Sequence, residues 1–116
     1  GGLKELKITE NTTSEEADAA FRQLDRLNRC QLGIGTFSGQ TPWERHDGDE
    51  LLQILNGETH ITVMTGNGPV QAMARAGDIF VCPRRKWHRQ YSPNGVTVLY
   101  ATPMPSEVSF ADDPCA

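Results

Sequence analysis

Trp43-Glu44-Arg45-His46-Asp47-Gly48-Asp49-Glu50-Leu51-Leu52-Gln53-Ile54-Leu55-Asn56-Gly57 is the stretch whose reading decides the fold. Its first half is the densest cluster of ligand-type side chains in the chain. If residues 42–46 are extended, Glu44 and His46 stand two apart and point the same way. Asp47-Gly48-Asp49 has turn composition, so the chain re-enters a neighbouring strand at Glu50. There Glu50, Leu52 and Ile54 share one face, and Leu51, Gln53 and Leu55 share the other. Both faces are apolar except for Glu50 and Gln53, which calls for cover on the outer side by an N-terminal helix or a second subunit. A carboxylate at the head of an apolar face is costly unless it is paired, metal-bound or at a wet mouth.

The same texture runs on in both directions. Short apolar runs alternate with glycine and proline punctuation from Gln31 onward, a β pattern. The expected strands are 32–37, 42–45, 50–55, 59–64, 70–74, 79–82, 87–91 and 96–101. Asn56-Gly57, Gly66-Asn67-Gly68-Pro69, Ala76-Gly77-Asp78 and Pro93-Asn94-Gly95 read as the turns between them. Many short strands with closely spaced turns predict an all-β sandwich or closed barrel. Upstream, Thr13 with Glu16 three residues on is a capping box, and Ala17, Ala20, Phe21, Leu24 and Leu27 recur at helical spacing. Residues 13–30 are therefore expected to be an amphipathic helix. The expected organisation is one domain: arm and helix over 1–30, barrel over 31–104, and an irregular tail over 105–116.

Composition narrows the function. At 116 residues the chain suits a single core. A net charge of −4 argues against non-specific nucleic-acid binding, which needs a basic surface. No apolar run approaches the ~18 residues of a membrane span. No secretory leader pattern opens the chain, and the three cysteines, Cys30, Cys82 and Cys115, make no CxxC pair. Both points lead to an expectation of a reducing, cytoplasmic location. With only three histidines, any metal chemistry must rest on very few residues.

A second histidine, His88, lies on another expected strand. Imidazole and carboxylate groups brought from different strands are the usual parts of a first-row metal site. The spacing of these residues resembles the cupins, small barrels carrying two motifs. Against the first motif, G-x5-H-x-H-x3-4-E-x6-G, His46, Glu50 and Gly57 match; Glu44 replaces the first histidine and Ser38 the opening glycine. Against the second, G-x5-P-x-G-x2-H-x3-N, Gly77, Pro83 and His88 match; Arg85 replaces the second glycine and Ser92 the asparagine. The resemblance covers roughly residues 31–102.

The resemblance implies a double-stranded β-helix, a jelly-roll-like antiparallel barrel, holding one divalent transition metal (Fe, Mn, Zn or Ni) and often dimeric. By position the ligands are Glu44, His46, Glu50 and His88. Glu44 either ligates, giving a two-histidine, two-carboxylate shell that favours Mn or Fe, or turns away and serves as a general base. Gln90 shares strand parity with His88, Tyr100 is placed near the mouth, and Arg85 in the basic Arg84-Arg85-Lys86 knot offers a lip for an anion. These three are the candidate substrate-binding residues. Trp43 and Trp87 face away from their ligand neighbours by alternation, and Cys82 reads as a buried structural thiol. His60 is either a partly exposed strand residue or a third histidine for the site. The implied function is a metal-dependent oxygenase, isomerase or lyase acting on a small, anionic molecule. The alternatives are a non-catalytic small-ligand binder and a metal-free structural domain. A homodimer is expected, with no nucleic acid and no membrane as partner.

Overall fold

The computed structural model describes residues 5–115. In chain order the elements are β1 (Leu6–Lys7), α1 (Ser14–Ala20), β2 (Phe21–Leu27), β3 (Cys30–Gln40), β4 (Trp43–His46), β5 (Glu50–Thr65), β6 (Gly68–Arg75), β7 (Ile79–Cys82), β8 (His88–Pro103) and β9 (Ser106–Ser109). The strands form one almost entirely antiparallel sheet, with only β1 parallel to β3. That sheet is folded over on itself and left open at its edges.

Two long strands carry the fold. The first half of β5 pairs with β7 and with the second half of β8, and its second half pairs with β6 and with the first half of β8. Each therefore belongs to both layers. Asn56-Gly57 and Pro93-Asn94-Gly95 are accordingly bends within single strands, not turns between separate ones. The bends lie against each other: a Cβ on Gly57, which has φ +78, would stand 2.2 Å from the carbonyl oxygen of Gly95, itself at φ +103. Only glycine satisfies both the left-handed backbone and that approach. The core between the layers holds Phe37, Leu52, Ile54, Ile61, Val63, Val96 and Val98. Leu52 and Ile54 face inward with Glu50, as the strand alternation requires.

The N-terminal segment departs from the expected helix. The capping box forms, with Thr13 Oγ1 accepting from Glu16 N, but α1 ends at Ala20. Phe21 through Leu27 form β2, antiparallel to β3, and the chain turns at Asn28 with φ 55. The edge of β3 supplies hydrogen-bond partners that an isolated segment lacks, and tertiary pairing overrides the helical spacing. Leu24 and Leu27 are exposed as a result. The tail also departs from expectation: Ser106–Ser109 pair with β4 as β9. No described helix is long and apolar enough to cross a membrane.

Candidate metal centre

Glu44 and His46 project from β4, Glu50 from the head of β5, and His88 from the head of β8. One ligand atom from each lies within 4.8 Å of every other, a grouping that could hold a metal ion. The strand pairing explains why. Glu44 stands opposite His88, and β5 pairs with β8 through Val63 and His88. The 46–49 turn is latched to the turn before β8, with Arg85 N donating to His46 O at 2.8 Å and Arg84 N to Asp49 Oδ1 at 2.8 Å.

Inside the cluster, His88 Nε2 is 3.0 Å from Glu50 Oε1. His46 Nε2 is 3.6 Å from Glu50 Oε2 and 3.8 Å from Glu44 Oε2, too far for hydrogen bonds. Both ring nitrogens of His46 are buried without a hydrogen-bond partner. A buried imidazole between two carboxylates is costly in that condition, and a cation shared by the three groups at Nε2 offsets part of the cost. The residues present therefore fit a divalent metal. Two outer contacts orient the ligands as metal sites require. His88 Nδ1 lies 3.2 Å from the Lys86 carbonyl, which turns Nε2 toward the cluster. Thr102 Oγ1 donates to Glu50 Oε2.

The electrostatics follow from burial and crowding. Burial opposes the charge of Glu50, but the imidazoles of His46 and His88 outweigh it and lower its pKa to about 2. Burial likewise opposes a charge on His88, yet Cys82 and Glu50 beside it raise its pKa to about 11. Glu44 is raised, first by its enclosure in the cavity wall and then by the charge of Glu50. Its side chain remains 38% exposed through the cavity mouth, against 7% for Glu50. Burial also raises the Cys82 thiol, which matches its reading as a structural group.

A cavity of about 250 Å³ opens beside the cluster, lined in part by Glu44, Glu50 and His88. Gln90 and Tyr100 are also among its lining residues. Arg85 does not: its backbone is left-handed at φ 62, and its guanidinium bonds Asp47 Oδ1 at 2.8 Å on the outer surface. His60 points away from the core and stacks on Tyr91, ring centroids 6.2 Å apart, so it takes no part in the cluster. Trp43 is buried and donates to Asp112 O, and Ser92 donates to Glu58 O; neither joins the site. Sequence reading misses four contributors: Thr102, Phe21, Gly33 and Gly35. Thr102 belongs to neither motif, and the helical spacing hides Phe21. Gly33 and Gly35, which alternate in β3, were a readable sign of close approach.

No family model matches the chain, and no curated protein matches it. Solved structures do. A cupin-2 domain protein from Shewanella frigidimarina superposes with a TM-score of 0.62 at 20% identity, over 72% of this chain and 79% of that one. A hydroquinone 1,2-dioxygenase, solved with Cd2+ and 4-hydroxybenzonitrile, gives 0.61 at 15% identity over 72% of this chain and 63% of that one. An oxalate oxidase in complex with glycolate gives 0.64 at 18% identity over 77% and 54%. The chain has the cupin fold, as the two motifs implied.

Proposed function

We propose that this protein binds one divalent transition metal through His46, His88 and Glu50, with Glu44 at the edge of the shell, and acts as a metal-dependent enzyme on a small molecule held in the adjoining cavity. The observation that carries this reading is His46: a buried imidazole with no hydrogen-bond partner on either nitrogen, set between two carboxylates. The mixed set of two histidines with one or two carboxylates favours Mn or Fe among the first-row ions. When bound, such an ion supplies Lewis-acid or redox chemistry. Oxygenase or oxidase chemistry is the class favoured by the names of two of the structural neighbours.

The chain's own residues have separable roles. Thr102 and the Lys86 carbonyl fix the orientation of Glu50 and His88. Glu44, half-exposed on the cavity wall with a raised pKa, is placed to hold or move a proton near the substrate. Gln90 and Tyr100 orient the substrate. One observation favours a second reading, a non-catalytic small-ligand binder: two carboxylates neutralise a divalent ion and weaken its pull on a substrate.

Elemental analysis of protein purified without added metal or chelator tests the site. Near one equivalent is expected in the wild type, with loss in His46→Ala and His88→Ala. Sub-stoichiometric metal that neither variant reduces would sink the reading.

A further inference from the structure

The cavity lining is of two chemical kinds. Part of it is aromatic. Phe21 and Phe37 are stacked with centroids 5.9 Å apart, and Tyr100 lies 6.2 Å from Phe21 at a tilt. These rings lie on bare backbone. A Cβ on Gly33 would stand 2.2 Å from the Tyr100 ring, and one on Gly35 2.2 Å from the Phe21 ring. β3 thus gives up two inward side chains so that rings from β2 and β8 can line the space. The lining also includes Gln90, whose Oε1 is buried and has no partner among the described protein groups. An enclosed carbonyl oxygen of that kind calls for a donor.

The charge of the cavity is equally one-sided. Two carboxylates, Glu44 and Glu50, line it. Apart from His88, the one basic residue among its described lining is Arg89, whose guanidinium lies over the Trp43 ring at 4.2 Å. Arg84, Arg85 and Lys86 are not part of the lining. A divalent ion in the cluster balances the two carboxylates, and the one remaining cation of the described lining, the Arg89 guanidinium, is engaged on the Trp43 ring. The volume, about 250 Å³, falls below the ~300–1,000 Å³ typical of drug-sized ligand pockets.

We propose that the cavity selects a neutral molecule of single-ring size carrying a hydroxyl or N–H, its ring against Phe21 and Tyr100 and its polar group at the Gln90 side-chain amide. This names the substrate class of the metal site and rests on that reading for the charge balance at the cluster. It reverses the preference for anions expected from the basic knot, because that knot lies outside the cavity.

The test is a titration of the protein, its metal content measured on the same sample, with phenol, anisole and benzoate, read by backbone amide shifts. Anisole keeps the ring without the donor, and benzoate keeps the ring with a charge. Phenol is expected to bind about 5- to 10-fold more tightly than either. Gln90→Leu is expected to abolish the gap between phenol and anisole. Wild-type protein that binds benzoate or anisole as tightly as phenol overturns the proposal without any variant, as does a gap that survives Gln90→Leu. A phenol preference in protein that holds no metal overturns the metal reading alone. Bound metal with a benzoate preference overturns the ligand class alone.

Discussion

His46 is the residue on which the site depends, and its neighbours divide the work unequally. Glu50 is enclosed, bonded by Thr102 and close to both imidazoles, whereas Glu44 is the outermost and most exposed member. Glu44→Gln is therefore expected to keep the metal within about tenfold of wild-type affinity, and Glu50→Gln to lose far more, as measured by competition with a chromophoric chelator. Thr102→Val removes the hydroxyl that orients Glu50 and is expected to weaken metal binding by about 10- to 100-fold with the fold intact. The same groups set the pH dependence of chelator-stripped protein. Glu50 is lowered from 4.5 to about 2, so its contribution is present above about pH 4.5 and lost as pH falls toward 2. His88 is raised from 6.5 to about 11, so its contribution is present below about pH 6.5 and lost as pH rises toward 11. The raised pKa of Glu44 removes stability in the same direction as His88. Urea midpoints of the stripped protein should fall on both sides of a maximum near pH 4.5, and Glu50→Gln should flatten the acid limb.

At the scale of elements, the bends in β5 and β8 let two strands serve two layers. Gly57 sits at the crossing, where a side chain would meet both a left-handed backbone and the Gly95 carbonyl. Gly57→Ala is expected to cost about 2–4 kcal/mol in chemical denaturation, well above the usual price of a surface substitution. Gly66, in the β5–β6 turn with open space around it, is the control, and Gly66→Ala should cost under about 1 kcal/mol. The β2–β3 hairpin shows a different balance. The run from Ala17 to Leu27 satisfies a helical period, yet from Phe21 it forms a strand because β3 offers a free edge and a glycine floor for the Phe21 ring.

Across the whole molecule, one outer face remains apolar. Leu32, Ala101, Leu51 and Val81 stand opposite one another across β3, β8, β5 and β7, and Ile34, Leu99, Gln53 and Ile79 form the adjacent row. Ile79 is 62% and Val81 50% exposed, and α1 packs on β1, β2 and β3 without covering them. The two rows carry no charge, while Arg22 and Asp25 continue them onto β2 at the rim. A second copy presents the same uncharged rows about a two-fold axis, so we expect a homodimer through this face. Sedimentation should give a dimer for the wild type and a folded monomer for Val81→Glu. A wild-type monomer at all concentrations counts against it.

The sequence by itself determined the all-β class, the inward face of Glu50–Ile54 and the capping box, and its resemblance to the cupin motifs pointed to Glu44, His46, Glu50 and His88 as candidate ligands. These follow from alternation and fixed spacing, which are local properties of the chain. Only the tertiary structure decided that Asn56-Gly57 and Pro93–Gly95 bend strands instead of ending them, and that 21–27 pairs as a strand. It alone placed Thr102 and the Lys86 carbonyl behind the ligands, turned His60 outward and carried Arg85 away from the cavity. Each of these depends on which distant backbone edge or side chain is available as a partner, and contacts between residues far apart in sequence leave no period in the chain to read.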